Sequence, residues 1–469
     1  MSEGGLGPAA AACLFPGFEG EAVPDWLKGL LSQGLGGVVL FARNIRDPEQ
    51  AAALTAALCA ERGEVLVATD EEGGDVTRLE AARGSSFPGN LALGVVDDPA
   101  LTSRVAAAIG GELAAAGIDL DLAPVADVAV DPAAAIVGVR SFGSDPQLVA
   151  RHVAAFVEGL QSVGVAACAK HFPGHGESTA DSHLELPVAD ADLETLRSRA
   201  LPPFAAAVAG GVRAVMTAHV RFPALDAEPA TLSARSIGLL RSELGFNGVV
   251  MTDALEMQGA GGPEGIGESA VRALAAGADA LCLGADLSPE QVLAAHEAIV
   301  EAVRAGRLLE DRVYEAAGRV AELAAWASPR PFADREAGAE AARRALRVEG
   351  DPAVGSDPLV VELWPDPTIA AGPALHGLGE ILGARTTRVR EGEPLPPGEG
   401  ETVVVVRDAH RHPWQRELVP AGAIVVETGV PVWRPPAAPA HVATPGAGRA
   451  NLEAAAERLR GAAAPRTSK

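Results

Sequence analysis

Residues 166–183 read Ala-Ala-Cys-Ala-Lys-His-Phe-Pro-Gly-His-Gly-Glu-Ser-Thr-Ala-Asp-Ser-His. The stretch begins with a short apolar run, Ala166–Ala169, which is followed at once by a lysine, a histidine and a long polar segment. A short, continuous apolar run of this kind is typical of a parallel strand that is covered on both faces. The stretch therefore predicts a buried strand whose carboxyl end carries polar side chains.

The same alternation of apolar runs and helical segments continues from the start of the chain to about residue 330. The other runs predicted as strands are Ala9–Leu14, Gly37–Phe41, Val65–Thr69, Asp119–Ala123, Ala214–Thr217, Val249–Thr252 and Ala280–Leu283. The helical segments between them, several of which start after Asp-Pro, are Pro48–Ala60, Pro99–Ala116, Pro146–Val163, Leu193–Ala209 and Glu268–Ala276. Eight strands, each followed by a helix, fit an α/β fold with a (β/α)₈ TIM-type barrel. A doubly wound open sheet is the alternative, because periodicity does not separate the two.

The pattern breaks around Ala327-Ser-Pro-Arg-Pro331, which predicts the end of the barrel. We expect a (β/α)₈-type catalytic barrel in residues 1–330, a linker with a helix in 331–355, a small α/β domain in 356–462 and a disordered tail in 463–469. The elements predicted for the C-terminal part are a helix at Arg335–Leu346, strands at Leu359–Leu363, Val403–Val406 and Ile424–Val426, and helices near Leu375–Leu382 and Ala450–Leu459.

The charge balance limits the partners of this chain. It has 62 acidic and 38 basic residues and a net charge of −24, which disfavours nucleic acid and anionic membranes as partners because like charges repel. No apolar run approaches the roughly 20 residues of a membrane span. Residues 1–5 contain no basic residue of the kind that starts a signal peptide. We therefore expect a cytoplasmic protein, and its oligomeric state stays open.

The cysteines are predicted to be structural. Cys13, Cys59, Cys168 and Cys282 lie in separate apolar runs and form no Cys-x-x-Cys pair. Disulfide frameworks and zinc sites show such pairs or regular spacings. Four buried, reduced thiols are therefore expected.

Polar or charged residues stand at or just past the ends of four predicted strands: Asp70, Lys170 with His171, His219, and Asp253. Catalytic groups of a barrel stand at the carboxyl ends of its strands, so these side chains are expected to meet in one mouth. A carboxylate beside a buried run must be solvated, paired or functional. For Asp253, a helix cap is the alternative to a catalytic role.

Asp181 and His183 are the candidates for proton transfer in the polar segment. They stand two residues apart, so in an extended segment both side chains point to the same side. An Asp that accepts a hydrogen bond from a His ring fixes its tautomer and stabilises the imidazolium. Such a His can donate and accept a proton near neutral pH.

Three other interpretations of this segment stay open. A metal could be bound by His171, His175, Asp181 and His183, although their spacing matches no standard ligand motif. Ser182 could belong to a catalytic triad, although it is not part of a Gly-x-Ser-x-Gly turn. The segment could also be a structural loop whose polar groups are all satisfied.

These segments, with others in the same order, resemble a known family. Lys170-His-Phe-Pro-Gly-His-Gly176, followed by Asp181-Ser-His183, is similar to the signature of the NagZ-type β-N-acetylglucosaminidases of glycoside hydrolase family 3. The supporting segments are Phe15–Gly17, Gly37–Phe41 with Arg43-Asn44, Asp70–Gly74, Leu122–Val125, Arg140–Gly143, Met216–His219 and Met251–Asp253 with Met257. The resemblance covers about residues 8–330 and implies a β-N-acetylhexosaminidase on a TIM-type barrel, with peptidoglycan recycling as the expected role.

The resemblance also implies a role for individual residues. Asp253 matches the nucleophile, His183 the acid/base and Asp181 the partner of that histidine. The residues expected to hold the sugar are Asp70, Arg78, Arg140, Lys170, His171 and His219. Cationic donors suit sugar hydroxyl and acetamide oxygens, and a carboxylate accepts from hydroxyls. Neither a metal nor an organic cofactor is implied, and the expected partner is a carbohydrate that ends in N-acetylglucosamine.

Two positions depart from the family pattern. Asp75 stands where relatives usually carry Arg, and Glu177 stands where they often carry Asp, which puts substrate preference in doubt. Arg140, judged from its glycine-flanked loop alone, is predicted to be a structural ion-pair partner. Two functional alternatives stay open: a β-N-acetylglucosaminide phosphorylase, because His repels phosphate less than a carboxylate does, and an amino-sugar-binding relative without turnover.

Overall fold

The computed structural model describes residues 5–131, 137–176, 186–262, 265–368, 370–371, 377–395 and 401–461. Asp181, Ser182 and His183 lie outside these residues, as do Glu177 and the predicted tail at 463–469. Within the described ranges, no helix is both long and apolar enough to cross a membrane.

The first part of the chain is built on parallel strands. They are β1 (Leu14–Pro16), β2 (Gly37–Leu40), β3 (Leu66–Thr69), β4 (Leu120–Asp121), β5 (Ala166–Phe172), β6 (Ala214–Thr217), β7 (Val249–Thr252) and β8 (Leu281–Gly284). Strands β2 to β7 form a six-stranded sheet in chain order, and β1 pairs with β8. An isolated parallel bridge between Met251 and Ala280 joins β7 to the segment that leads into β8. Every residue of these strands is buried, which is why most of them appear in the sequence as continuous apolar runs.

Helices precede, connect and follow these strands. They are α1 (Leu6–Ala12), α2 (Asp25–Gln33), α3 (Pro48–Glu61), α4 (Asn90–Val96), α5 (Pro99–Ala115), α6 (Pro146–Ser162), α7 (Leu193–Thr195), α8 (Leu201–Ala209), α9 (Ala234–Gly238), α10 (Ile266–Ala276), α11 (Pro289–Arg304), α12 (Glu310–Trp326) and α13 (Arg335–Ala345). Asp47, Asp98 and Asp145 each accept a hydrogen bond from a backbone N–H in the first turn of the next helix, which has Pro at its start. The helix starts predicted from Asp-Pro are confirmed.

Two predictions at strands need correction. The predicted strand Ala9–Leu14 is wrong, because α1 extends to Ala12 and β1 begins only at Leu14. Four successive alanines favour a helix, and an apolar run by itself does not distinguish a buried helix from a buried strand. The strand predicted at Ala166–Ala169 continues to Phe172, so Lys170 and His171 lie within β5 rather than after it.

The prediction for the cysteines is confirmed at three positions and wrong at one. Cys13, Cys168 and Cys282 are buried free thiols, whereas Cys59 is an exposed free thiol on α3. This alanine-rich helix has apolar residues on its outer face as well as its inner face. Apolar neighbours in the sequence therefore do not indicate burial at Cys59.

The C-terminal part forms a second sheet. Its strands are β9 (Arg347–Gly350), β10 (Leu359–Leu363), β11 (Arg385–Val389), β12 (Thr402–Val406), β13 (Ile424–Glu427) and β14 (Ala440–Ala443), and its helices are α14 (Leu378–Leu382), α15 (Pro413–Leu418) and α16 (Arg449–Leu459). The order is β11-β10-β12-β13-β14-β9, and only β9 is antiparallel to its neighbour. The sequence analysis missed β9, which lies in the segment predicted as a linker, and also β11, β14 and α15. Strands β9 and β11 are mostly exposed edge strands, so they lack an apolar run.

Asp279 lies just before β8, at the amino end of the parallel strands, and its carboxylate contacts several elements there. It is fully buried, and its carboxylate lies 2.5 Å from nitrogens of Arg241 and Arg312. It also accepts hydrogen bonds from Arg319 at 3.0 Å and from the backbone N–H of Val250 at 2.9 Å. One buried charge thus ties α12 and the segment after α9 to the sheet.

We expect Asp279→Ala to lower the free energy of unfolding by about 3–5 kcal/mol, because it leaves partly buried guanidinium groups without their carboxylate. The matched control is Asp286→Ala, which removes an exposed ion pair with Arg43 and should cost less than about 1 kcal/mol. Urea unfolding followed by circular dichroism measures both variants. Equally small effects would contradict the role given to Asp279.

Candidate active site

The candidate site lies at the carboxyl edge of the first sheet. Asp70 directly follows β3, Lys170 and His171 lie in the second half of β5, and Asp253 directly follows β7. These strands belong to one parallel sheet, so their carboxyl ends share one edge.

Lys170 is at the centre of a network of ion pairs at this edge. Its ammonium lies 2.6 Å from Asp70 Oδ1 and 2.8 Å from Glu72 Oε1. Arg140 donates two hydrogen bonds to Glu72, at 2.9 Å and 2.7 Å. Arg78 lies 3.5 Å from Asp70 Oδ2. The structure therefore brings together four of the residues predicted to hold the sugar, joined by Glu72.

The charges of the network hold one another ionised. Burial alone would raise the pKa of Glu72, but Arg140 and Lys170 outweigh it and hold that pKa well below its usual range. Burial alone would lower the pKa of Lys170, but the carboxylates of Asp70 and Glu72 outweigh it and raise that pKa. The pKa of Asp70 is lowered for the corresponding reason, since Lys170 and Arg78 outweigh its burial. The network therefore stays charged at neutral pH.

The members of the network differ in exposure. The side chains of Lys170 and Glu72 are each 2% exposed, whereas those of Asp70 and Arg78 are 17% and 12% exposed. Asp70 and Arg78 therefore form the outer part of the network, and the deeper pair lies behind them. Glu72 was not among the residues predicted for the site, although it stands two residues from Asp70, a spacing that puts both side chains on one side of an extended segment.

His171 is oriented by a carboxylate that the sequence analysis did not single out. Its Nδ1 donates a hydrogen bond to Asp127 Oδ2 at 2.7 Å, and Asp127 is fully buried. Asp127 also accepts from the backbone N–H of His175 at 2.6 Å. Burial would raise the pKa of Asp127, but His171 outweighs it and the pKa is lowered. The ring of His171 is thus fixed with Nδ1 directed into the protein.

Asp253 and His219 are both hydrogen-bonded to the backbone of Ala254. The half-buried Asp253 accepts a hydrogen bond at Oδ1 from the N–H of Ala254 at 2.8 Å. His219 is fully buried, and its Nε2 donates to the carbonyl of Ala254 at 2.9 Å while its Nδ1 contacts Thr231 Oγ1 at 2.9 Å. His219 therefore supports the backbone that follows Asp253.

The alternative of a metal site was raised by the histidines of the polar segment. Among the residues that the structure describes, no group of three or more His, Cys, Asp or Glu side chains is arranged to hold a metal ion. The rings of His171 and His175 are 6.0 Å apart, edge to face. The other two residues of that alternative, Asp181 and His183, lie outside the described ranges.

Comparison with known proteins identifies the family. The model of the glycosyl hydrolase family 3 N-terminal domain matches residues 21–323. The chain belongs to glycosyl hydrolase family 3. It is a glycoside hydrolase, and the match includes all the network residues described above.

Relatives and solved structures agree with this assignment. A β-hexosaminidase of Pseudomonas aeruginosa is 41% identical over 253 residues, which cover 52% of this chain and 74% of the relative. A β-hexosaminidase of Stenotrophomonas maltophilia is 39% identical over 241 residues, which cover 50% of this chain and 70% of the relative. The structure of a family 3 β-N-acetylglucosaminidase from Paenibacillus sp. is 33% identical, with a TM-score of 0.87, and covers 98% of this chain and 97% of its own. That similarity extends over both sheets of the present family 3 chain.

Glu71 lies between the two acids of the network but turns away from it. Its Oε2 accepts hydrogen bonds from the backbone N–H groups of Arg78 and Leu79, at 2.8 and 3.1 Å. Glu71 is 4% exposed, and burial raises its pKa to about 7. The folded protein therefore favours the protonated form of Glu71 at pH values where the unfolded chain carries it ionised.

The pKa of Glu71 predicts a pH dependence of stability. Because its folded pKa is raised from 4.5 to about 7, this group makes folding less favourable as pH rises through that window. We expect the free energy of unfolding of the wild type, relative to Glu71→Gln, to fall by about 2–3 kcal/mol between pH 5 and pH 8. Urea unfolding at both pH values measures the difference. A difference that does not change with pH would contradict the protonation assigned to Glu71.

Proposed function

We propose that the chain is a retaining exo-glycosidase that removes terminal, non-reducing, β-linked N-acetylglucosamine. The names of the β-hexosaminidase relatives and the similarity to the Paenibacillus enzyme support this activity. The observation that carries the proposal is the position of Asp253, a carboxylate after β7 at the same edge of the sheet as the ion network. In this proposal the ion network binds the sugar, and Asp253 is the nucleophile of the reaction.

The exposed members of the network contact the sugar directly. Asp70 accepts hydrogen bonds from sugar hydroxyls, and the guanidinium of Arg78 donates to sugar oxygens. Lys170 has a third hydrogen-bond donor besides the two that it shares with Asp70 and Glu72, and that donor serves the sugar.

The remaining residues predicted to hold the sugar lie deeper. His171 presents Nε2, since its Nδ1 is bonded to Asp127. Arg140 acts through Glu72, with which it forms a bidentate pair. His219 acts through the carbonyl of Ala254, next to the nucleophile.

The reaction proceeds in two displacements. Asp253 attacks the anomeric carbon while His183 protonates the leaving oxygen, so that the aglycone departs and a glycosyl–Asp253 intermediate forms. His183, now neutral, takes a proton from water, which attacks the same carbon and releases Asp253. Two inversions give retention of configuration. Asp181 orients His183, and a histidine in this role avoids a second carboxylate beside the nucleophile, which helps Asp253 to stay ionised.

The proposed fold is a closed barrel followed by a second, smaller domain. The β1–β8 pair and the bridge between Met251 and Ala280 support a sheet that closes into a (β/α)₈ barrel in residues 1–330. A linker with a helix (331–355) and a small α/β domain (356–462) follow, and β9 adds an edge strand to that domain.

We expect Asp253→Ala to lower kcat/KM for an aryl β-N-acetylglucosaminide by roughly 10³-fold or more, because no group remains to form the intermediate. The control is Asp286→Ala, an exposed position, which should keep the wild-type rate. The wild type should also prefer this substrate over the aryl β-glucoside that differs only at C2. Analysis of the products formed with and without added phosphate shows whether water or phosphate accepts the sugar. Near-normal turnover by Asp253→Ala would end the assignment.

For His183→Ala we expect the loss of rate to depend on the leaving group. A substrate with a good leaving group needs no protonation, so the first displacement continues while the second becomes slow. The covalent adduct on Asp253 should then accumulate and be detected by intact-protein mass spectrometry. The absence of an adduct, with both steps slowed equally, would contradict the role of His183.

A further inference from the structure

The loop that follows β3, residues 70–78, contacts both the ion network and the C-terminal part of the chain. It turns at Gly73–Gly74, where φ is 75° and 61°, in the left-handed region that glycine adopts readily. A backbone hydrogen bond of 3.0 Å from the N–H of Glu72 to the carbonyl of Val76 closes the turn. Asp75 stands at the tip of this turn, three residues after Glu72.

Asp75 is bonded to the C-terminal part of the chain. Its Oδ1 accepts a hydrogen bond from the N–H of Ala447 at 2.7 Å, and its Oδ2 pairs with the guanidinium of Arg407. The side chain of Asp75 is 3% exposed, so these partners supply the hydrogen bonds that water would otherwise provide. Arg407 directly follows β12, and Ala447 lies in the turn before α16.

Arg407 is itself held in place by Gln415. The Oε1 of Gln415 accepts a hydrogen bond from the backbone N–H of Arg407 at 2.9 Å, and its Nε2 donates to the carbonyl of Arg407 at 3.1 Å. Gln415 is fully buried. The backbone that carries this guanidinium is therefore fixed at the carboxyl end of β12.

Two further contacts join the 70–78 loop to the C-terminal part. The backbones of Gly74 and Gly448 touch, since a Cβ on Gly448 would lie 2.8 Å from the Cα of Gly74. Arg78 donates a hydrogen bond to the carbonyl of Ala370 at 3.1 Å while it lies 3.5 Å from Asp70. The C-terminal part thus contacts both the tip and the end of the loop.

We propose that Asp75 is a positioning residue through which the C-terminal sheet fixes the 70–78 loop in the geometry that binds the sugar. The inference rests on the proposed function, because it concerns the same sugar site. Asp75 acts through Asp70 and Arg78, which hold the sugar both before and during the reaction. A displaced loop weakens binding of the substrate and of the transition state alike. The expected effect is therefore a higher KM with little change in kcat.

The test compares Asp75→Asn, Arg407→Gln and the double variant on an aryl β-N-acetylglucosaminide. Each single change leaves a buried charge without its partner, and we expect KM to rise roughly tenfold while kcat changes less than about threefold. The double variant removes both charges, so neither residue is left as a charge without its partner. Its KM should therefore lie closer to the wild-type value than that of either single variant.

A second variant tests the contact without changing any charge. Gly448→Ala places a methyl group against the Cα of Gly74, and the backbone of Gly448, with φ of −58°, accommodates alanine without strain. We expect it to raise KM as well. The matched control is Asp357→Asn, which removes an exposed ion pair with Arg385 elsewhere in the same sheet and should leave KM unchanged.

The outcomes separate this proposal from the proposed function. Turnover by the wild type is measured first, and its absence would count against the proposed function alone. In that case the same variants are compared by calorimetry, and the Kd for N-acetylglucosamine replaces KM. Unchanged KM or Kd in Arg407→Gln and Gly448→Ala would overturn the role of Asp75, even if their melting temperatures fell. A lower kcat at constant KM would overturn it too. Those two variants decide the question if Asp75→Asn does not fold.

Discussion

The ammonium of Lys170 lies between the carboxylates of Asp70 and Glu72, and the arrangement of the site depends on this contact. Removing an unpaired ion from water is costly, so none of these charges is stable alone at its depth. Pairing also constrains geometry, because β5, the loop after β3 and the turn that carries Arg140 must meet at one point. The same contact that keeps the ions charged therefore aligns three segments around the candidate site.

Most of the parallel strands were predictable because their burial on both faces leaves a continuous apolar run in the sequence. Ala214–Thr217 and Val249–Thr252 were predicted with the bounds that the structure has. The run at Ala9–Leu14 was misassigned, since alanine fits a buried helix as well as a buried strand. Edge strands such as β9 and β11 could not be found in this way, because solvent covers most of their residues and no apolar pattern results.

Residues of the candidate site that interrupt or follow a strand could be predicted from the sequence. Residues whose role depends on a partner far away in the chain could not. Asp70, Lys170 and Asp253 were singled out because each interrupts or ends an apolar run. Glu72 and Asp127 were missed, since their importance comes from Arg140 and His171, which are 68 and 44 residues away in the chain. The strand ends therefore predicted which side chains gather at this edge of the sheet, but the buried partners that orient them needed the structure.

The structure also gives a physical reason for the acid at position 75, where the resemblance leads one to expect arginine. A carboxylate at the tip of the turn accepts from the N–H of Ala447 and pairs with Arg407, whereas a guanidinium there would face another cation and a hydrogen-bond donor. The partners of Asp75 thus lie in the C-terminal part of the chain, and they suit an acid rather than a base. Only Gly73 and Gly74 separate Asp75 from Glu72. The contacts of Asp75 with Arg407 and Ala447 therefore lie within three residues of the ion network. The ion network and the contacts with the C-terminal part of the chain therefore share one short loop.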